Sequence, residues 1–302
     1  MQNTNLNNHP VLSLLNSSEN NHDISFEKKD SDLPYLFIDG SYFCFYCYFS
    51  VERWWKFAFP TDLDIFKNPI QNPLFVEKFK NKCKKIFESF VVNLKISLDQ
   101  DRKPLIYIGK DCKRENIWRN KIYPGYKGNR NDARNQNVGG FFQLMYQELF
   151  PMEEYKNLGL RGILEYEFLE ADDCIAICVM KLLQDEPLRN IYIVTSDRDY
   201  LQLAKTPLVQ LYDLSFKKLT ESKGSSGNAE CDLFCKIVMG DKSDNITSVF
   251  KKCGPKTALK YFHHRELFEA QLKKENAYEK YKLNEKVISF YTGLIPYLMN
   301  SI

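Results

Sequence analysis

The feature that most constrains the fold is an alternation of short apolar runs with longer amphipathic segments. The runs are bounded by Gly, Pro, Asp or Ser, as buried strands usually are. They cover Tyr35 to Ile38, Leu105 to Ile108, Ile163 to Leu169, Ile191 to Thr195 and Leu208 to Tyr212. Between them, segments such as 76–98, 141–155 and 171–184 repeat apolar residues every three or four positions, which is helical spacing. This alternation predicts an α/β fold with a mostly parallel central sheet flanked by helices.

The chain divides into three predicted regions. Residues 1–33 are rich in Asn, Ser and charged residues and predict a disordered tail. Residues 34–224 contain every predicted strand and form an α/β domain. Residues 225–302 have only helical patterns and predict a helical subdomain, with the joint in the KGSSGN segment.

Composition excludes several classes of protein. A chain of 302 residues is long enough for a real core. The longest apolar run, Tyr42 to Val51, is far shorter than the ~20 residues that cross a bilayer. The N-terminus lacks the basic and apolar regions of a signal peptide. Nine scattered cysteines suit buried thiols in a reducing compartment. We therefore expect an intracellular protein, in the cytoplasm or nucleus, with no membrane contact.

Positive charge is concentrated in two stretches. The net charge of +3 is too small to imply a nucleic-acid partner. Residues 110–134, however, contain eight basic and three acidic residues, and residues 250–265 contain five basic and no acidic residues. These two stretches favour a large polyanion over a small phosphorylated molecule.

Acidic residues follow the predicted strands. Asp39, Glu170 and Asp197 close three of them, and Asp111 follows a fourth. Ligands of open α/β sheets bind at the carboxyl ends of the strands, so these carboxylates are expected to converge. A helix dipole stabilises negative charge by only ~0.3–1 kcal/mol, which cannot offset such crowding. Hard oxygen ligands in this number indicate Mg²⁺ or Mn²⁺.

Each acidic residue also has a simpler interpretation. A single Asp at a strand end is more often a helix N-cap than a metal ligand. Asp241 and Asp244, in MGDKSDN, suit capping and turn positions equally well. Only the combination of several such positions favours a metal site.

Aromatic residues between Tyr42 and Phe59, including Trp54 and Trp55, are expected mostly in the core. A minority could stack on unpaired bases. Cys44 and Cys47 have the spacing of a zinc half-site, but no matching pair follows nearby.

Five sequence blocks, in order, resemble a known family. They are FIDGS, the basic block ending in YPGYKGNR, LEADD, TSDRDYLQL, and MGDKSDN followed by CGPKTA. Together they resemble the structure-specific 5′-nucleases, which include flap endonucleases and the 5′-nuclease domain of bacterial DNA polymerase I. The resemblance runs from about Tyr35 to Phe262, and YKGNR is closest to the bacterial and phage branch. It implies a PIN-like catalytic domain over 34–224 with a helical arch at about 110–140, and a helix-three-turn-helix within 225–302.

The resemblance also implies roles for individual residues. The implied metal ligands are Asp39, Asp111, Glu170, Asp172, Asp173, Asp197, Asp199, Asp241 and Asp244. The implied catalytic residues beside the scissile phosphate are Lys127, Arg119 and Arg130. The implied DNA-binding residues are Tyr126, Lys251, Lys252, Gly254, Lys256, Thr257 and Lys260. The implied cofactors are two Mg²⁺ ions, replaceable by Mn²⁺, and a K⁺ ion at the hairpin.

Two positions depart from the family pattern. Asp111 lies one residue farther from Tyr126 than the family spacing, which a one-residue insertion would explain. The hairpin reads Lys252-Cys253-Gly254, with one of the two usual glycines replaced.

The implied activity is metal-dependent hydrolysis of DNA phosphodiesters, as a 5′-3′ exonuclease or flap endonuclease in replication or repair. The implied substrates are DNA with 5′ flaps, nicks or free 5′ ends. The chain is expected to be a monomer that works with a DNA polymerase or clamp. Three alternatives stay open: an RNA-cleaving PIN-type nuclease, a small-molecule phosphohydrolase, and a DNA-binding protein without catalysis.

Overall fold

The computed structural model describes residues 32–96, 98, 102–130 and 137–300. Most of the predicted tail and residues 131–136 of the predicted arch lie outside these ranges. The strands are β1 (Tyr35–Asp39), β2 (Leu105–Gly109), β3 (Leu160–Leu164), β4 (Ile191–Val194) and β5 (Val209–Tyr212). The α-helices are α1 (Gly40–Ala58), α2 (Pro73–Asn93), α3 (Arg119–Ile122), α4 (Gly139–Gln143), α5 (Glu153–Asn157), α6 (Ala171–Asp185), α7 (Ala229–Met239), α8 (Pro255–His263), α9 (Arg265–Glu275), α10 (Tyr278–Ile288) and α11 (Ile295–Asn300). Short 3₁₀ segments cover Asp64–Lys67, Pro69–Gln71, Arg114–Asn116, Arg198–Leu203 and Leu219–Glu221, and π-helical segments cover Leu144–Leu149 and Phe290–Leu294.

The five strands form one parallel sheet in the order β3-β2-β1-β4-β5. The central strand β1 pairs with β2 and β4, placing Tyr35 opposite Leu105 on one side and Ile191 on the other. Because all strands run the same way, their carboxyl ends share one edge of the sheet. The predicted parallel α/β fold with a helical C-terminal region is confirmed.

The third strand differs from its prediction. It covers Leu160–Leu164 and not 163–169, whereas the other predicted strands match within one residue at each end. After Leu164 the chain turns, and the Leu169 amide donates to the Tyr166 carbonyl at 3.2 Å. In residues 163–169 apolar and polar side chains alternate through both the end of the strand and the turn after it. The alternation therefore could not show where the strand ends. Glu170 therefore begins α6 and does not end a strand.

The predicted helix over 141–155 is divided. It is observed as α4, the π-helical segment Leu144–Leu149 and α5, with Pro151 before α5. Proline lacks an amide hydrogen and its ring clashes with the preceding turn, so it interrupts a helix.

Two buried layers cover the sheet. One contains side chains of α1, α2 and the 141–155 region. The other contains α6 together with Phe290, Leu294 and Leu298. The C-terminal end of the chain thus joins the buried layer on one face of the sheet, where Phe290–Leu294 contacts α6, and the predicted division at residue 224 stays a prediction. Among the described helices, none combines the length and apolar character needed to cross a bilayer.

Candidate active site

Carboxylates follow three adjacent strands at the shared edge of the sheet. Asp39 ends β1, Asp111 lies two residues after β2, and Asp197 lies three residues after β4. The Asp111 carboxylate accepts hydrogen bonds from the Ser41 hydroxyl at 2.5 Å and from the Ala171 amide at 2.9 Å. Asp111 therefore ties the first turn of α1 to the first turn of α6, and its implied role as a metal ligand stays a prediction.

The ionised form of Asp39 is disfavoured by its surroundings. Burial, followed by the charges of Asp111 and Asp197, raises the pKa of Asp39 to about 7. Hydrogen bonds from the Tyr42 amide (3.0 Å) and the Thr195 hydroxyl (3.1 Å) only partly oppose this. A divalent cation between these carboxylates would remove the repulsion.

A second group consists of Glu170, Asp172 and Asp173, whose nearest ligand atoms lie within 4.8 Å of one another. Glu170 is the N-cap of α6, and the Glu170 amide donates to Asp173 at 3.1 Å in a capping box. Burial and the charge of Asp173 raise the pKa of Asp172 well above its ordinary value. The capping arrangement places all three carboxylates on the first helical turn.

Arg119 lies inside the protein and not on a surface facing substrate. It is 2% exposed and donates to both carboxylate oxygens of Asp173, each at 2.7 Å. It also donates to Glu170 at 2.9 Å, and the Trp118 indole donates to Asp173 at 2.9 Å. In this geometry Arg119 faces Glu170 and Asp173, and the implied roles of Arg119 beside a phosphate and of Asp173 on a metal stay predictions. The two residues bind each other because a buried carboxylate requires a paired cation.

Tyr126 and Lys127 meet the same group from the opposite side. Lys127 forms an ion pair with Glu170, and the Tyr126 hydroxyl lies 3.0 Å from Glu170 and 3.2 Å from Asp244. Burial acts to raise the pKa of Glu170, but the charges of Lys127 and Arg119 hold it below its ordinary value. Tyr126 is buried, so its side chain contacts the carboxylates and not a surface open to DNA.

A third group consists of Asp199, Asp241 and Asp244, again within 4.8 Å. Lys236 on α7 forms ion pairs with Asp199 and, at 2.8 Å, with Asp241. Although burial opposes it, the Lys236 charge lowers the pKa of Asp241 to about 2. Sequence reasoning missed Lys236. The available signal was a single lysine in the otherwise apolar run that leads to Asp241.

Residues 127–130 of the predicted arch are joined to the loop after α7. The Lys127 amide donates to the Asp244 carbonyl at 2.9 Å, and the Asn129 amide group donates to the Lys242 carbonyl at 2.7 Å. Arg130 donates to the Asp244 carboxylate at 2.6 Å. Lys127 adopts a left-handed conformation with φ of 54°, which turns its backbone towards this loop.

The residues fit divalent cations. The donors are carboxylate oxygens, which Mg²⁺ and Mn²⁺ prefer. The Tyr200 hydroxyl is completely buried and has no hydrogen-bond partner in the described part of the chain. Burial and the charges of Asp39 and Asp172 raise its pKa well above the ordinary value, so it adjoins the same carboxylates. An unsatisfied donor at this position suits a site that holds hydrated ions. Cys44 and Cys47 lie buried in α1 among apolar residues.

The predicted hairpin residues lie around the start of α8. Lys251 and Lys252 precede the helix, Lys256 and Lys260 lie on it, and all four are exposed. Gly254 is the N-cap, and Thr257 lies in the first turn, where its amide donates to the Gly254 carbonyl at 3.0 Å. This end of α8 forms a basic surface.

Two curated proteins have sequences similar to that of this chain. Ribonuclease H of Enterobacteria phage T4 is 34% identical over 142 residues, 46% of this chain and 44% of the relative. DNA polymerase I of Streptococcus pneumoniae is 26% identical over 268 residues, 84% of this chain and 26% of the relative. The chain thus spans less than half the length of these curated relatives.

Solved structures show the same fold. A phage T5 protein co-crystallised with metal ions superimposes with a TM-score of 0.58 at 17% identity, covering 89% of this chain and 92% of that one. The phage T5 flap endonuclease in a complex with DNA and metal ions gives a TM-score of 0.54 at 17% identity, with the same coverage. Residues 34–230 match the family described as "5′-3′ exonuclease, N-terminal resolvase-like domain". The chain belongs to this 5′-3′ exonuclease family.

Proposed function

We propose that the chain is a metal-dependent, structure-specific 5′-nuclease that hydrolyses DNA phosphodiesters during replication or repair. The observation that carries this proposal is the convergence of three carboxylate groups at one sheet edge, beside Lys127 and next to a basic helix. The relatives support it, since they are named ribonuclease H and DNA polymerase I, and one solved relative is a flap endonuclease with DNA and metal ions.

Two groups of carboxylates would hold two divalent ions, Mg²⁺ or Mn²⁺. Asp39, Asp111, Glu170 and Asp172 would hold the first, and Asp197, Asp199, Asp241 and Asp244 the second. When bound, such ions lower the pKa of a water and stabilise the charge that develops on the phosphate and the leaving oxygen. Asp173 is assigned a positioning role, because both of its oxygens accept from the buried Arg119, whereas one Glu170 oxygen is paired with the more exposed Lys127.

Lys127 is the group of this chain best placed to act on the phosphate. Its ammonium neutralises Glu170, and the Lys127 side chain is 16% exposed, whereas that of Arg119 is 3% exposed. A short rotation would move it from Glu170 to an approaching phosphate oxygen. A positively charged donor there stabilises the transition state by ~2.7–4 kcal/mol.

Arg119 and Tyr126 would hold the carboxylates in place. Arg119 fixes Glu170 and Asp173, and Tyr126 links Glu170 to Asp244 across the two metal groups. Buried hydrogen bonds of this kind reduce the movement needed when ions and substrate bind.

The α8 surface would hold duplex DNA through its phosphates. Lys251, Lys252, Lys256 and Lys260 would contribute most of this affinity, without reading sequence. A K⁺ ion at Lys252-Cys253-Gly254, a polymerase or clamp partner and a monomeric state stay predictions.

The test is cleavage of end-labelled flap, nicked and single-stranded DNA with Mg²⁺, compared with EDTA. We expect flap or nick cleavage only with the metal, and loss of cleavage without loss of binding in an Asp197→Asn, Asp199→Asn double variant. Near-normal turnover of that variant would contradict the two-metal mechanism. Faster cleavage of a matched RNA flap would favour the RNA nuclease.

A further inference from the structure

A basic cleft separate from the carboxylate groups lies between α1 and α2. Its volume is about 640 Å³. Lys78, Lys82, Lys84 and Lys85 line it, against one acidic residue, Glu88, among the described residues of its wall. This α1–α2 cleft therefore carries a net positive charge and favours an anionic occupant.

Three of these lysines form an unpaired row. Lys78, Lys82 and Lys85 follow i, i+4, i+7 spacing and so project from one face of α2. None of the three has a carboxylate within ion-pair distance in the described ranges, whereas Lys80, on another face, pairs with Glu148 at 3.6 Å. Like charges at this spacing destabilise a helix when nothing neutralises them. A ligand with regularly repeated negative charges would remove that repulsion.

The opposite wall of the cleft carries one exposed aromatic ring, that of Trp54. Trp54 is 38% exposed, whereas Trp55 and Trp118 are buried. Lys78 lies 5.2 Å from the Trp54 ring centroid, and Lys82 lies 5.2 Å from the Tyr46 ring centroid. An aromatic surface next to a row of lysines is the combination that binds single-stranded nucleic acid, because rings stack on bases while ammonium groups contact phosphates.

Two further aromatic side chains lie on the same ridge of α1 as Trp54, towards the carboxylates. Tyr42, Tyr46, Ser50 and Trp54 recur every four residues along α1, which begins directly after Asp39. The Tyr42 and Tyr46 rings pack edge to face, with 6.2 Å between their centroids. At 1.5 Å per residue, Trp54 lies ~21 Å along the helix from its first residue. This i, i+4 ridge of α1 thus runs from the carboxyl edge of the sheet to the cleft.

We propose that the α1–α2 cleft binds a single-stranded segment of the nucleic-acid substrate, with phosphates on Lys78, Lys82 and Lys85 and a base against Trp54. The identity of the ligand as nucleic acid rests on the proposed function. Binding itself needs no metal and no sequence preference, because every base offers a stacking face. An acidic peptide fits the charge, but it leaves the exposed Trp54 ring beside the lysines unexplained.

Tryptophan fluorescence in EDTA tests this binding directly. Oligothymidylate of about 16 nucleotides is titrated into the full chain. We expect quenching that disappears in Trp54→Phe, because the other two tryptophans are buried. In the Lys78→Ala, Lys82→Ala double variant the dissociation constant should rise about tenfold or more, and the log–log salt slope should fall by ~1.4 for two lost phosphate contacts.

Lys80→Ala with Lys156→Ala is the matched control. It removes the same charge, but both lysines are already paired with glutamates at 3.6 Å. We expect little change in binding. Equal weakening in the two double variants, or quenching by polyglutamate but not by oligothymidylate, would overturn the proposal.

Flap cleavage with Mg²⁺, measured in parallel, separates this proposal from the proposed function. Cleavage without quenching of Trp54 fluorescence would contradict nucleic-acid binding in the α1–α2 cleft and leave the proposed nuclease activity standing. Quenching without any cleavage would contradict the nuclease and leave the cleft as a nucleic-acid site.

Discussion

The ammonium of Lys236 lies 2.8 Å from the carboxylate of Asp241, in the middle of the third carboxylate group. The protein thus places its own cation where a divalent ion is proposed to bind. We predict that Lys236→Met binds Mn²⁺ more tightly than the unaltered protein, because no ammonium has to be displaced. Isothermal titration calorimetry measures this, and unchanged or weaker Mn²⁺ binding would show that Lys236 helps to build the site. Lys205→Met, a lysine outside the carboxylate groups, is the control.

Breaking the Arg119–Asp173 pair should destabilise the fold. Arg119→Met leaves the buried Asp173 carboxylate without its cation, which costs about 3–5 kcal/mol of unfolding free energy. Arg130→Met breaks a pair whose arginine is 48% exposed, so we expect at most ~1 kcal/mol. Urea unfolding compares the two variants. Similar losses would mean that Arg119 does not bear the structural role assigned to it.

The raised pKa of Asp39 predicts an unusual pH dependence of the metal-free protein. Asp39 titrates at about 7 when folded and near 3.8 when unfolded. The folded state therefore binds more protons between these values, so its stability should fall as pH rises from about 4 to about 7. Asp39→Asn should remove this component, which is on the order of 4 kcal/mol. Thermal unfolding in EDTA across this pH range measures it, and parallel curves for the two proteins would refute the assignment.

Only part of the candidate site could be predicted from the sequence. The strand ends that carry Asp39 and Asp197 were predictable, since each apolar run stops at an acidic residue within a few positions. The role of Arg119 was not. In sequence it belongs to a basic stretch that suggests a DNA-facing surface, and its burial depends on residues about fifty positions later. The start of α6 was also predictable, because an apolar run stops there at an acidic residue. The turn before α6 was not predictable.

Lys127 should affect the rate of cleavage more than binding. If it stabilises charge on the phosphate, Lys127→Ala should lower the single-turnover rate ~10²–10³-fold at saturating enzyme. The dissociation constant, measured in Ca²⁺ to prevent cleavage, should change little. Arg130→Ala is the control and should have a smaller effect on the rate. Weaker binding in both variants at an unchanged rate would leave this segment as a purely electrostatic contact.

The unpartnered hydroxyl of Tyr200 predicts a stability difference that depends on metal. Without ions, Tyr200→Phe should stabilise the protein, because a buried unsatisfied hydroxyl costs about 1–3 kcal/mol. With saturating Mn²⁺ the advantage should disappear, because the hydroxyl then has an oxygen of the hydrated site to bind. Urea unfolding with and without Mn²⁺ measures the difference. An identical effect in both conditions would place Tyr200 outside the site.

The main-chain hydrogen bond from Lys127 to Asp244 has a geometric consequence for the reaction. It joins Lys127, the residue proposed to face the phosphate, to the loop that leads into the α8 surface, and so restrains movement of one relative to the other. In the proposed nuclease, the protein then sets the distance between the bound duplex and the phosphodiester that is cleaved. The cut should fall the same number of nucleotides from the duplex whatever the length of the unpaired strand.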